Sequence, residues 1–350
     1  MFLAQVPIWC GMAVGILGTG SYLPHEVVTN SDLNTWIPDA DPDWILQETM
    51  VRSRRYAAPD EATSDLAAHA ARQAIAHAAL TAGDIDFLIV ATATPDSPQP
   101  PTSHLVQAAI GADRAVCFDL NVVSSGFVFA LGIAHSLVVV NPSARVLVIA
   151  ADVYSRIIDF ADRDTAVLFG DGAGAAVIGT VGHGYGILDL ELVSRGSGHG
   201  LIHVPAGGSR LPASEKTLAN ADHFLRMDGP GVRDFVASEV PWALEALLRR
   251  TGVYAAAIDH FVPHQSDGVT VTELVRVSGL GNARTHVTLD RYGNLGSASL
   301  PVTLDEAART GALRDGDLVL LAGFGGGMSI GACLLRWHPI EAVPASPMPA

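Results

Sequence analysis

Five short apolar elements of this chain occur twice, in the same order. "VGILGTGSYLP" near residue 15 is answered by "GILDLELVS" at 186, and "DIDFLIVATAT" from Asp84 by "AIDHFVPHQS" from Ala257. "CFDLNVVSSGF" from Cys117 is answered by "HVTLDRYGNLGSAS" from His286, "ARVLVIAADV" from Ala144 by "GDLVLLAGF" from Gly316, and "AGAAVIGTV" from Ala173 by "MSIGACLLRW" from Met328. An offset of roughly 155 to 175 residues is too long for a solenoid repeat and fits two duplicated half-domains. Apolar runs rich in Val, Ile and Leu alternate with Ala-rich helical stretches, the pattern of an α/β protein whose strands are buried on both faces. With 49% of its 350 residues apolar, the chain has the material for the large core that such a duplication requires.

In open α/β sheets ligands bind beyond the carboxyl ends of the strands. That rule selects Ser124 and Ser125 after "CFDLNVV", His264 after "DHFVP" and Asn294 after "HVTLDRYG", so that each half contributes to one shared site. A serine at a strand-to-helix turn gains from the unpaired amides and positive dipole of the helix N-terminus. It is equally an ordinary helix N-cap. A lone histidine after a strand is usually structural, and an asparagine between glycines is usually a turn residue. Together, a neutral amide donor beside a histidine is what a site needs to hold a carbonyl as it becomes an enolate or oxyanion.

Several function classes are disfavoured. The formal net charge is -15, from 21 basic and 36 acidic residues, and Lys216 is the only lysine. A chain this acidic, with no basic run, repels nucleic acid and anionic lipid. Cys10, Cys117 and Cys333 are odd in number and lack a C-x-x-C spacing, which fits a reducing compartment, the cytoplasm, better than a disulfide framework or zinc site. The apolar opening "MFLAQVPIWCGMAVGILG" lacks a basic region and runs into a core strand, so it reads as an extension before Met12 in preference to a signal peptide. No stretch reads as a membrane span, which needs about 18 apolar residues free of turn signals.

Gly18 and Gly20 give G-x-G without the third glycine of a dinucleotide fingerprint, and Pro24 sits where its helix would run. "FGDGAGAA" lacks the P-loop lysine, and "VVSSGF" is not the G-x-S-x-G of a serine hydrolase. His199 and His203 lack a third ligand for a metal site.

The motifs "GILGTGSYLP", "FGDGAGAAVIG" (Phe169 to Gly179), "VPHQ", "GNLGSASLP" and "LLAGFGGGMSIGA" jointly resemble those of the β-ketoacyl-acyl-carrier-protein synthase III family of thiolase-like condensing enzymes. The resemblance runs from Met12 to about Trp337. It implies a homodimer of five-layer αβαβα subunits, with an N-terminal half at 12–182, a C-terminal half at 183–338 and short extensions at 1–11 and 339–350. It further implies no permanently bound cofactor, acyl-coenzyme A as acyl donor, a malonyl thioester as second substrate, and an acyl carrier protein as an alternative acyl carrier. The family nucleophile is the cysteine of an A-A-C-[AS]-G-F motif, which falls on Ser124, while its histidine and asparagine fall on His264 and Asn294.

Other positions carry over unevenly. Trp44 and Arg156 match residues that meet coenzyme A, and Gly325 and Gly326, within Phe324 to Gly327, match a turn that lines the site through backbone amides. Where the family shows W-I-x-x-R-T-G-I, this chain reads W-I-L-Q-E-T-M-V, with Glu48 in place of arginine. The H-Q-A-N-x-R motif becomes His264-Gln265-Ser266-Asp267-Gly268-Val269. Pro100 and Pro101, in "SPQPPTS", stand where a pocket-lining phenylalanine is common, which predicts a reshaped acyl pocket. The missing sulfur leaves three explanations: a natural serine enzyme, a replacement that traps an acyl complex, or a non-acylating dimer partner. An acyltransferase acting on a hydroxyl or amine is a further alternative on the same fold.

Overall fold

The computed structural model describes residues 13–338. The two terminal extensions, with Cys10 and Met12, lie outside the described residues. The strands in chain order are β1 (Ala13–Tyr22), β2 (Glu26–Thr29), β3 (Ser53–Tyr56), β4 (Phe87–Ala91), β5 (Val116–Leu120), β6 (Val146–Val153) and β7 (Asp171–Val181). They continue with β8 (Gly186–Ser194), β9 (Ile202–His203), β10 (Arg226–Met227), β11 (His260–Pro263), β12 (Arg284–Thr285), β13 (Leu318–Gly325) and β14 (Ser329–Arg336).

Ten of these form two five-stranded sheets, ordered β1-β7-β6-β4-β5 and, read in the matching direction, β8-β14-β13-β11-β12. Four of the five matched pairs occupy the same place in their own sheets; in the fifth, the answering segment begins at His286, just after β12 (Arg284–Thr285), the strand that takes the place of β5. The senses of pairing agree as well: β7 and β14 are antiparallel to both neighbours, while β4 and β11 run parallel to theirs.

Helices Gly126–Val140 and Ser299–Arg309 lie between the sheets, and one core contains Phe127, Leu131 and Val138 with Leu300 and Leu304. Both sheets give it residues, among them Val148 and Ile178 from one, Val262 and Leu321 from the other. The outer face of the first sheet is covered by helix Thr63–His77, whose Ala67, Ala70, Ala71 and Ala74 fall at helical spacing and allow close approach. Helices Gly229–Thr251 and Gly268–Val277 give Val240, Leu244, Leu247 and Leu274 to the core beneath the second sheet. Helix, sheet, helix, sheet, helix is the five-layer thiolase-like arrangement.

One apolar segment bears on the membrane reading. The segment Val123–Val140 has 18 residues of mean hydropathy 2.0, enough by length and composition to cross a bilayer. Half of that segment is buried between the sheets, so its apolarity serves a core. β5 is an edge strand without a partner on one side, and its Val116 is 58% exposed.

Candidate active site

The chain leaves β5 through a single turn of 3₁₀-helix, Val123–Ser125, and enters helix Gly126–Val140. Val123 has φ 48°, a conformation costly for a β-branched residue, on the order of 1–3 kcal/mol. Neither serine caps the helix: no side-chain cap bond forms at its N-terminus. Ser125 is fully buried and donates its hydroxyl to the Ser329 carbonyl at 3.0 Å, a structural tie between the halves. Ser124 is 5% exposed, and no side-chain hydrogen bond engages its hydroxyl among the described residues.

The turn is pressed against the end of β13. A Cβ on Gly325 would stand 3.0 Å from Ser124 Cβ and 3.1 Å from its Oγ, and one on Gly323 would stand 3.1 Å from the Ser124 carbonyl. Gly326 faces Val123 instead, 3.2 Å from Cγ2. Gly325→Ala should therefore fold yet displace Ser124, lowering acyl transfer about 10- to 100-fold, because small misplacements of a reacting group are costly. Single-turnover acylation measured beside the thermal midpoint checks this.

His264 follows β11 directly and donates its amide to the Ala322 carbonyl of β13 at 2.7 Å. The ring is 3% exposed and meets Phe324 edge-on, with centroids 5.3 Å apart. Burial holds its pKa down at about 3, so the imidazole is neutral and fit to accept a proton. Its Nδ1 is sealed in without a partner, which leaves Nε2 to meet a ligand.

The sign of the pH effect follows. An unfolded histidine titrates near 6.5, so between that value and about 3 the unfolded chain binds a proton that the folded chain does not. Stability is full above about 6.5 and is lost as pH falls. His286, held at about 4 by burial and then by the charges of His260 and Arg284, adds to the same loss. Urea midpoints should drop from pH 7.5 to pH 5, and His264→Gln should flatten that slope.

Asn294 sits in a turn secured from both sides. Its amide donates to the Leu168 carbonyl at 2.8 Å, and its carbonyl accepts from Gly170 N at 2.9 Å, a parallel bridge beside β7. Its side-chain Oδ1 accepts from Gly296 N at 2.9 Å. Because a backbone N–H must face an acceptor, this bond fixes the orientation of the amide and leaves the Nδ2 donors for another partner. The following turn, Gly296–Ala298, packs on Val123–Ser125, with Ser297 Cβ 3.8 Å from the position of a Gly126 Cβ. Ser124 and His264 thus both lie against the end of β13, and the turn that follows Asn294 packs on the serine turn.

The residues expected to meet coenzyme A divide. Trp44 is half-buried with a guanidinium 4.4 Å from its ring centre, but that group belongs to Arg163. Arg156, on the 3₁₀ turn Tyr154–Arg156, instead donates to the Ala58 carbonyl at 2.7 Å. Sequence reasoning missed Arg163. Glu48 is exposed, and Val269 is 51% exposed where the resemblance would place arginine. Asp267 caps helix Gly268–Val277 by accepting from Thr270 N at 2.8 Å. His199 and His203 each place Nδ1 at a carbonyl, Gly196 O at 3.1 Å and Gly200 O at 3.0 Å, beside an open cleft. No group of three or more metal-ligating side chains gathers among the described residues.

Comparison with known proteins defines the class first. The priming β-ketosynthase from the R1128 polyketide biosynthetic pathway superposes with a TM-score of 0.87 at 34% identity, covering 94% of this chain and 97% of that one. The fold is that of a thiolase-like condensing enzyme. The family description "3-Oxoacyl-[acyl-carrier-protein (ACP)] synthase III" matches residues 118–196, and its C-terminal counterpart matches residues 248–337. The β-ketoacyl-[acyl-carrier-protein] synthase III of Symbiobacterium thermophilum is 44% identical over 324 residues, 93% of this chain and 98% of its own. Acetoacetyl CoA synthase NphT7 of Streptomyces sp. strain CL190 is 47% identical over 325 residues, 92% of this chain and 98% of its own. The chain belongs to the β-ketoacyl-[acyl-carrier-protein] synthase III family. Acyl transfer and condensation are the class of chemistry that this membership brings to the site.

Proposed function

We propose that the chain takes an acyl group from acyl-coenzyme A onto Ser124 and condenses it with a malonyl thioester, as in the starter step of fatty-acid or polyketide assembly. The observation that carries this reading is a hydroxyl without a hydrogen-bond partner among the described residues, at a strained helix-entry turn that packs on the end of β13 and on the turn following Asn294.

Ser124 Oγ attacks the thioester carbon while His264 Nε2 takes its proton, and the coenzyme thiolate leaves and recovers that proton. The malonyl thioester then loses carbon dioxide, and the Asn294 Nδ2 donors hold the enolate oxygen. The enolate carbon attacks the acyl-serine carbonyl, the new carbon-carbon bond forms, and Ser124 Oγ leaves to regain a proton. Gly325 and Gly326 supply close backbone approach, and Trp44 with Arg163 offers a flat cationic surface suited to a purine. No resident cofactor enters this scheme.

A coenzyme-borne malonyl group fits this chain better than a carrier-borne one. Carrier proteins are acidic and the chain itself has a net charge of -15, so the two repel. The 47% identity to an acetoacetyl CoA synthase points the same way. The apolar, unpaired edge of β5 supports a homodimer, and a cytoplasmic setting suits both the substrates and the unpaired Cys117 and Cys333.

Mass analysis of products formed from acyl-coenzyme A with malonyl-coenzyme A, or with a malonyl carrier protein, tests the reading. A 3-oxoacyl-coenzyme A product supports it. The serine and the lost arginines favour one second reading, acyl transfer to a hydroxyl or amine. That reading holds if acylation occurs, no carbon-carbon bond forms, and a hydroxyl or amine acceptor gains the acyl mass.

A further inference from the structure

Asp152 is a charged residue at the end of an apolar strand, "VLVIAADV", and it is completely buried. No arginine, lysine or histidine forms an ion pair with it among the described residues. The carboxylate instead collects five donors. Its Oδ1 accepts from Thr92 Oγ1 at 3.1 Å, Ala93 N at 2.8 Å and Thr94 Oγ1 at 3.2 Å. Its Oδ2 accepts from Ser297 N and from Ser297 Oγ, each at 2.7 Å. The first group comes from the segment after β4, in the N-terminal half of the chain, and the second from the turn that follows Asn294.

The geometry of that turn depends on this anchor. Gly296, at φ 58°, donates the amide that fixes Asn294 Oδ1, and a Cβ there would stand 2.4 Å from Asp152 Oδ2 and 2.2 Å from Tyr154 Cε2. The turn is therefore closed down onto Asp152 as far as a residue without a side chain allows. Ser297 Oγ also lies 3.0 Å from the Ala91 carbonyl, and Ala91 Cβ is 2.9 Å from the position of a Gly126 Cβ beside the serine turn.

We propose that Asp152 is a positioning residue for the condensation step: by clasping Ser297 it holds Gly296, and through Gly296 the Asn294 amide, at the reacting carbonyl. This rests on the reading of Asn294 as the enolate-holding group. Asp152 touches no substrate and acts through the turn alone. Its buried charge is met by hydrogen bonds only, so changing one acceptor oxygen into a donor removes part of the clasp and sets an N–H against an N–H or O–H.

The test is Asp152→Asn, with Ser297→Ala as the milder change because it keeps the backbone N–H. Decarboxylation of malonyl-coenzyme A needs no acyl-serine, so it reads the Asn294 turn separately from Ser124. In Asp152→Asn we expect its kcat to fall about 100-fold with KM unchanged, while Ser124 acylation moves less than about threefold, and the crystal structure to show Asn294 Oδ1 drawn about 1 Å or more from Gly296 N. Ser297→Ala shows a smaller loss in the same step, and it carries the test if Asp152→Asn fails to fold. Equal falls in acylation and decarboxylation, or a turn that does not move, overturn the proposal. If the unmodified chain neither acylates nor decarboxylates, the proposed function fails by itself. The crystal structures then decide the clasp, a displaced turn supporting it and an unmoved one refuting it.

Discussion

Ser124→Ala gains no acyl mass from acyl-coenzyme A under conditions that acylate the unmodified chain, and Ser124→Cys is acylated faster, by about 10²–10⁴-fold, the usual worth of a positioned general base. The asymmetry comes from ionisation. A thiol near neutral pH supplies a few per cent of its own anion, whereas a serine hydroxyl depends wholly on a base. His264 is suited to that task because burial keeps it neutral far below physiological pH. It is a weak base for the same reason, so acylation of the serine form is slow. Intact-mass spectrometry over time, across acyl chains of different length, measures both the rates and the acyl-chain preference; Pro100 and Pro101, read from the sequence as reshaping an acyl pocket, are both exposed. Acylation of Ser124→Cys alone would make the serine a trap or a retired nucleophile. Acylation of neither form would leave the non-acylating dimer partner. Ser125→Ala is the control: its hydroxyl is spent on the Ser329 carbonyl, so its loss affects stability more than acyl transfer.

The duplication into two halves was legible because it writes most strands of a sheet twice, and buried strands leave apolar runs that periodicity detects. Ser124 and His264 were legible as candidates for a related reason, since each follows such a strand, whereas Asn294 follows the short helix Leu289–Tyr292. What escaped depends on how the chain turns after a strand. Whether Ser124 or Ser125 keeps a free hydroxyl is decided by the backbone of Val123, which no residue type announces, and by a contact with Ser329 remote in the chain. Arg156 and Arg163 lie in one connection between β6 and β7, and their order in the chain does not show which of them reaches Trp44. Asp152 did leave a signal, a carboxylate inside an apolar strand, but its partners come from two other segments.

Asn294→Ala should separate the two half-reactions most sharply. Acyl transfer to Ser124 needs the hydroxyl, the imidazole and the donors of the helix-entry turn, all of which remain. Decarboxylation places negative charge on the thioester oxygen, and removing one preorganised donor from such an oxygen costs about 10²–10³-fold. We therefore expect an acylated but condensation-poor protein, read by mass for the first step and by release of labelled carbon dioxide for the second. Asn294→Asp sharpens the result. One carboxylate oxygen still accepts from Gly296 N, so the turn keeps its shape, but the other presents an acceptor and a negative charge where a donor was. Condensation should fall at least as far as in the alanine variant, although less of the side chain has been lost. Equal activity of Asn294→Asp and the unmodified chain would show that the amide holds no developing charge. The site would then be left with acyl transfer alone, and a hydroxyl or amine would become the acceptor to seek.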